Sequence, residues 1–216
     1  MKEELSMSRL LVVIVMVLAL VGVSNAANML TNGDWQTGNE SGWNAWNGRA
    51  VSDRDNLGNA LPQLGRSSVG GYGDFGSKAW GPWWGAWNCS GFSQVLPASA
   101  GQTWTMTADL MELSNDAITS NAYGVVLLQF YNAANASVGS YELGRVNAAS
   151  TKDMWFNLSL TQVAPANTAT VEAWLGFFQP NGDGGGAAWF DNITLAPEPA
   201  TLALLGLGGL VLRRRK

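Results

Sequence analysis

The sequence predicts an all-β fold, a sandwich or barrel, for residues 27–196. Several short segments either alternate apolar and polar residues or are apolar throughout, and stretches rich in Gly, Asn and Ser separate them at short, regular intervals. No segment between the two chain ends carries the repeat of an amphipathic helix. These two observations point to one β-rich domain with a targeting segment at each end.

Residues 102–110 predict the clearest strand, because apolar side chains occupy the even positions from Trp104 to Leu110 and Thr or Asp occupies the odd positions between them. Residues 97–101 and 132–135 have turn composition. The other predicted strands span residues 92–96, 123–131, 155–160, 169–178 and 187–195.

Residues 1–26 predict a signal peptide. Lys2 and Arg9 supply positive charge, residues 10–23 are an unbroken apolar run, and Ser24-Asn25-Ala26 places small residues where a signal peptidase cuts. Export with cleavage after Ala26 is therefore expected. The alternative is an uncleaved anchor, for which the apolar run is short.

The last segment, residues 197–216, has three parts. Pro197-Glu198-Pro199 precedes residues 200–212, which are all apolar, Gly or Thr, and the chain then ends in Arg213, Arg214, Arg215 and Lys216. As a helix, residues 200–212 would cover about 20 Å of a hydrocarbon core of about 30 Å. Such a segment makes a poor permanent anchor.

This order of parts resembles the PEP-CTERM sorting signal. The resemblance implies transient membrane insertion, processing by an exosortase-type peptidase, and a bacterium that makes exopolysaccharide. It also implies a destination at the cell surface or in the extracellular matrix. An ordinary single-span anchor with a positive stop is the alternative.

Composition excludes several function classes. Residues 27–196 contain thirteen acidic and six basic residues, so no basic surface favours nucleic acid. The chain has no His and one cysteine, Cys89, which excludes a Ser-His-Asp triad, a histidine zinc site and an internal disulfide. No two glutamates have the spacing of a paired catalytic site, so glycoside hydrolysis is the least expected activity.

Several segments, in order, resemble the carbohydrate-binding-module-like (galactose-binding-like) jelly rolls. The segments are Asn28–Gln36, Gly42-Trp43, residues 92–96, residues 101–105, residues 125–131 and residues 189–195. The resemblance covers nearly all of residues 28–195 and implies a jelly-roll β-sandwich.

A structural calcium ion is predicted at Asp191. If Asp191 shares a core-facing side with Trp189, Ile193 and Leu195, its buried carboxylate needs a partner, and calcium takes oxygen ligands. The resemblance implies that this ion joins the last-strand Asp to a Glu of the opening segment, where this chain has Gln36. Backbone amides or an Arg side chain are the alternative partners.

The eleven tryptophans are the most unusual feature of the composition. Large aromatics suit stacking on sugar rings, while Asn, Gln and Asp bond the hydroxyls. We interpret Trp43 and Trp46 as sharing one face of a short strand, next to a Gly/Pro-punctuated Trp cluster. The predicted glycan-binding residues are Trp43, Trp46, Tyr72, Trp80, Trp83, Trp84 and Trp87. The tryptophans assigned to the core are Trp35, Trp104, Trp155, Trp174 and Trp189.

Two functions are consistent with these features. The first is non-catalytic binding of a polysaccharide, either exopolysaccharide or an environmental glycan. The second is a structural matrix or adhesion protein that binds no sugar.

Overall fold

The computed structural model describes residues 27–52, 54, 57, 76–80, 89–180 and 184–198, and within 76–80 only the Ala79 side chain. The chain divides into a β unit, residues 28–196, and a unit made of the two chain ends. The predicted signal peptide and hydrophobic tail segment lie outside the described residues. Within the described ranges, no helix has the length and apolarity needed to cross a bilayer.

The β unit is a sandwich of two five-stranded sheets, counted over the described residues. The strands are β1 Asn44–Trp46, β2 Arg49–Ser52, β3 Gly76–Trp80, β4 Cys89–Pro97, β5 Thr103–Met111, β6 Tyr123–Tyr131, β7 Ser137–Asn147, β8 Phe156–Val163, β9 Thr170–Phe178 and β10 Ala187–Pro197. The first sheet has the order β1-β4-β9-β6-β7 and the second has the order β2-β3-β10-β5-β8. A short 3₁₀ turn, Ser114–Asp116, follows β5.

The predicted all-β sandwich is confirmed, and β6 has the predicted bounds. The sequence did not predict β7, which is an edge strand with two register shifts against β6. Most of its side chains are half-buried or exposed. In an edge strand with bulges, buried and exposed positions do not alternate regularly. The sequence of such a strand therefore lacks the apolar–polar alternation that identifies a strand.

The core lies between the sheets. Trp104 and Leu110 of β5 are buried there, as the alternation predicted. Trp35, in the loop before β1, is fully buried and packs on Trp43 at a centroid distance of 4.8 Å and on Phe92 at 5.0 Å. The core positions of Trp35 and Trp104 are therefore confirmed.

The predicted core-facing side of β10 is confirmed for Ile193 and Leu195 but is wrong for Trp189 and Asp191. Phe190 and Ile193 both belong to the main core cluster although they are three residues apart and would face opposite sides of a regular strand. Asn192 between them has φ 51°, a left-handed conformation that breaks the alternation. By alternation with Phe190, Trp189 and Asp191 lie on the outer side of the second sheet rather than facing the core with Ile193.

Two more tryptophan assignments need correction. Trp174 alternates with the core residues Ala173 and Leu175, so it lies half-buried on the outer side of the first sheet. Trp155 packs partly buried against a separate small cluster made of Met111, Leu113 and Trp189. That small cluster, rather than the main core, also contains buried Trp189.

Gln94 of β4 ties the opening segment to the sandwich. Its side-chain oxygen accepts a hydrogen bond from the Thr31 amide at 2.8 Å, and its nitrogen donates to the Thr31 carbonyl at 3.1 Å. The same segment pairs with the end of β10, where the Ile193 amide donates to the Gly33 carbonyl at 2.8 Å. One side-chain amide therefore takes the place of a neighbouring strand for Thr31.

Replacing Gln94 with Leu should lower the free energy of unfolding by about 1–3 kcal/mol, because both Thr31 backbone groups lose their partner. The midpoint of urea denaturation of the purified protein measures this. Gln162→Leu, at a half-buried position near the end of β8, is the control and should change stability by about 0.5 kcal/mol or less. Equal losses of stability in the two variants would contradict a stabilising role for the two Gln94–Thr31 hydrogen bonds.

Candidate functional site

Four aromatic side chains form a continuous row on the outer side of the first sheet. They are Trp46 of β1, Trp174 and Phe178 of β9, and Tyr123 of β6, and we call them the aromatic row. Successive ring centroids are 5.4 Å (Trp46–Trp174), 5.3 Å (Trp174–Phe178) and 5.1 Å (Phe178–Tyr123) apart. Each ring is half-buried, so part of its surface is open to solvent.

Strand register brings these rings together. Tyr123 of β6 lies directly opposite Phe178 of β9. Trp46 of β1 lies opposite Gly91 of β4, which in turn lies opposite Gly176 of β9. The row therefore crosses the sheet from β1 to β6 instead of following one strand.

Gly176 makes room for the central indole. A Cβ atom at this position would collide with the six-membered ring of Trp174. The indole therefore lies over the bare backbone of its own strand, between Trp46 and Phe178. This close approach requires glycine at position 176.

Arg145 of β7 lies next to Tyr123, at the end of the aromatic row opposite Trp46. Its guanidinium carbon lies 4.7 Å from the centroid of the Tyr123 ring, a cation–π contact. The Arg145 Nε also donates to Glu142 Oε1 at 2.7 Å, and a second, shorter bond joins Nη2 to Glu142 Oε2. Hydrogen bonding to Arg145 lowers the pKa of Glu142, so this carboxylate stays ionised and holds the guanidinium over Tyr123.

A polar trio lies further along the same face, formed by Gln129 and Tyr131 of β6 and Glu172 of β9. Gln129 is directly opposite Glu172 in the register. The Tyr131 hydroxyl donates to Gln129 Oε1 at 2.6 Å. Burial, followed by the charge and hydrogen bonding of Glu172, raises the pKa of Tyr131 above its ordinary value. The face thus combines stacking rings with hydrogen-bonding groups.

The predicted glycan-binding tryptophans separate in the structure. Trp46 belongs to the aromatic row, whereas Trp43 is buried, stacks on Trp35 and donates its indole N–H to the Asn32 carbonyl at 3.1 Å. The predicted shared face of Trp43 and Trp46 is wrong, because residues three apart do not point to the same side of a strand.

The structure does not describe the side chains of the other predicted glycan-binding residues. The backbone of Trp80 ends β3 opposite Ala187, and its side chain is outside the description. Tyr72, Trp83, Trp84 and Trp87 also lie outside the described residues.

Both predicted calcium ligands have hydrogen-bond partners within the protein. The Gln36 side-chain nitrogen donates to the Asp34 carbonyl at 2.9 Å, and Asp191 Oδ1 accepts from the Asn192 amide at 2.6 Å. Over the ranges that the structure describes, no group of three Asp, Glu or Cys side chains is arranged to hold a metal ion. The pairing of Gln36 with Asp191 on calcium stays a prediction.

Tyr123, Phe178 and Trp174 are surface aromatics that were not among the predicted site residues. The signal was present within residues 170–178, where Val171, Ala173, Leu175 and Phe177 alternate as a core-facing set. That alternation places the even positions on the outer side.

The C-terminal sequence matches a known family description. The PEP-CTERM protein-sorting motif matches residues 195–216. The chain carries this sorting motif. It implies export and sorting to the cell surface through an exosortase. The motif begins inside β10, which runs to Pro197, and its Pro199, Arg213, Arg214 and Arg215 lie outside the described residues.

Among solved structures, the sandwich is similar to the enzymatically active domain of bacteriophage CBA120 tailspike protein 4, with a TM-score of 0.52 and 12% identity over 79% of this chain and 21% of that one. It is also similar to an arabinose-bound GH51 α-L-arabinofuranosidase, with a TM-score of 0.50 and 12% identity over 82% of this chain and 27% of that one. This chain therefore spans less than a third of either protein, and the likeness shows the fold alone.

Carbohydrate-binding modules also appear among the neighbours. A CBM61 in complex with β-1,4-galactotriose has a TM-score of 0.47 and 15% identity over 80% of this chain and 100% of that one. No curated protein sequence matches this chain.

Gly176→Ala should displace the Trp174 ring and lower the free energy of unfolding by about 1–3 kcal/mol, because the new methyl group collides with the indole. Near-ultraviolet circular dichroism should lose the signal of the Trp46–Trp174 pair. Gly185→Ala is the control, since the nearest atom to its added methyl group is the Thr119 hydroxyl at 3.7 Å. An unchanged spectrum in Gly176→Ala would contradict the placement of the ring.

The ion pair of Glu142 and Arg145 should give a small, acid-sensitive stabilisation. Because the folded-state pKa of Glu142 is lowered from 4.5, its contribution is complete above that value and disappears as the pH falls through the folded-state pKa. Glu142→Gln should therefore be less stable than the parent at neutral pH by about 0.5 kcal/mol or less, since both side chains are over a third exposed. Urea midpoints of the two proteins should converge as the pH falls through the folded-state pKa of Glu142; a gap that widens in acid would contradict the assignment.

Proposed function

We propose that this chain is an exported cell-surface protein that binds polysaccharide without cleaving it. The observation that carries the proposal is the aromatic row, four half-open rings on the outer side of an antiparallel sheet. The solvent-facing side of such a sheet is ordinarily polar, and a row of partly exposed rings there is typical of a binding surface. Rings stack on the apolar faces of sugars, and nearby polar groups bond sugar hydroxyls.

Binding without cleavage is supported by how the carboxylates of this face are used. Glu142 is held ionised by Arg145, which is the opposite of the raised pKa that a glycosidase general acid needs. Glu172 interacts with the Tyr131 hydroxyl. Both carboxylates therefore have side-chain partners on this face, which is consistent with binding a ligand rather than cleaving it.

The cellular context supports the choice of ligand. We propose that a signal peptidase removes residues 1–26 and that an exosortase-type enzyme processes the tail at Pro197-Glu198-Pro199. The domain would then reside at the cell surface or in the extracellular matrix, where the cell's own exopolysaccharide is a candidate ligand. A calcium ion joining Gln36 to Asp191 belongs to the same proposal; calcium addition should raise the melting temperature, and removal by a chelator should lower it.

The Trp-rich segment adjoins the aromatic row along the chain. β3 ends at Trp80, and β4 begins at Cys89, directly opposite the row residue Phe178. We propose that the predicted residues Tyr72, Trp80, Trp83, Trp84 and Trp87 add to the sugar-binding surface. Comparing Trp83→Ala and Trp84→Ala with Trp174→Ala in one binding assay tests this addition.

The main test is retardation of the purified protein in native gels that contain a panel of polysaccharides. Trp174→Ala should weaken binding at least about tenfold, because truncating a central aromatic of a binding site usually costs more than about 1.4 kcal/mol. Trp155→Ala, which removes an indole on the other sheet's small cluster, should leave retardation unchanged. No retardation by any glycan would favour a structural or adhesion role instead.

Cys89 offers an independent readout. It is the chain's single cysteine, is partly exposed, and lies opposite Phe178. A glycan on the aromatic row should slow its reaction with a thiol reagent, and Trp174→Ala should remove that protection. Protection that survives Trp174→Ala would place the glycan elsewhere.

A further inference from the structure

The five strands of the first sheet contain very few charges. Across β1, β4, β6, β7 and β9, all of which the structure describes, the charged side chains are Glu142, Arg145 and Glu172. Glu142 and Arg145 neutralise each other through two hydrogen bonds. Glu172 is therefore the charge of this face that no cation on these strands balances.

Glu172 lies close enough to the aromatic row to contact the same ligand. It is two residues before Trp174 on β9 and on the same outer side, about 7 Å away along the strand. Half-buried Leu127 lies opposite Trp174, and the next outward pair on these strands is Gln129 and Glu172. The Trp174 ring, however, extends over Gly176, away from Glu172. A ligand that touches both the row and the polar trio must therefore be an oligosaccharide rather than a single sugar.

The polar trio provides both hydrogen-bond acceptors and hydrogen-bond donors for the hydroxyls of a neutral sugar. An ionised carboxylate only accepts hydrogen bonds, so Glu172 matches donating hydroxyls. Gln129 accepts from Tyr131 through its oxygen and keeps its amide N–H groups to donate. A carboxylate or sulfate on the ligand would instead meet Glu172 as a like charge in a partly buried setting, where repulsion is weakly screened.

We propose that the ligand of this face is a neutral oligosaccharide chain and that Glu172 determines this specificity. It binds hydroxyls of neutral sugars and repels uronic-acid or sulfated glycans. The inference rests on the proposed function and adds the chemical class of the glycan.

The test compares a neutral polysaccharide that retards the protein with polygalacturonate, an acidic polymer, in the same gel and calorimetric assays. The parent protein should bind the neutral polymer and bind polygalacturonate at least about fivefold more weakly. Glu172→Gln keeps the shape of the side chain and should raise the affinity for polygalacturonate at least about fivefold. Glu40→Gln, which changes the net charge equally at the Arg49 pair outside this sheet, should leave both affinities unchanged.

The outcomes separate the two proposals. Parent protein that binds polygalacturonate as tightly as the neutral polymer, or a Glu172→Gln variant with unchanged discrimination, overturns the specificity inference while leaving glycan binding intact. Absence of binding to either polymer and to the whole panel overturns the proposed function itself. If Glu172→Gln does not fold, the salt dependence of the parent protein is the test. Added salt screens repulsion, so it should raise the affinity of the parent for polygalacturonate. An affinity that does not rise with salt overturns the specificity inference.

Discussion

The alternation of β9 links the stability of this domain to its candidate site. β9 is the middle strand of the first sheet, between β4 and β6. Its odd residues from Val171 to Phe177 enter the core, and its even positions carry Glu172, Trp174 and Phe178 outward. Core packing therefore sets the register of the strand, and the register sets the positions of the rings. A slip by one residue would bury Glu172 and expose Phe177.

The fold was largely predictable because the strands in the middle of the sheets carry a strong pattern. β6 is nearly all apolar and β5 alternates from Thr103 to Leu110, so both were found close to their observed bounds. The facing of β10 was not predictable, since it depends on the left-handed backbone at Asn192. An asparagine allows this conformation without requiring it, and only the packing of Ile193 into the core selects it.

The candidate site was less predictable because tryptophan serves two purposes here. Trp35 and Trp43 stack inside the core, whereas Trp46 and Trp174 meet on the surface at a similar separation. Composition does not distinguish the two pairs. The surface pair depends on β1 and β9 being held in register by β4, which lies between them. Such pairing joins positions more than a hundred residues apart, and no local pattern encodes it.

The hydrogen bonds at the end of β10 fix where the first and last described residues of the sandwich lie relative to the aromatic row. Residues 179–186 connect Phe178 of the aromatic row to Ala187, and β10 then runs for 11 residues to Pro197, about 35 Å. At its far end, the Leu195 amide donates to Asn28 Oδ1 at 2.9 Å and its carbonyl accepts from the Met29 amide at 3.0 Å. The described chain therefore enters and leaves the sandwich at one end, and the aromatic row lies toward the other. The tail that the proposed processing would remove begins at Pro197-Glu198-Pro199, so every residue of the aromatic row and every strand of the first sheet precedes the processed segment in the chain.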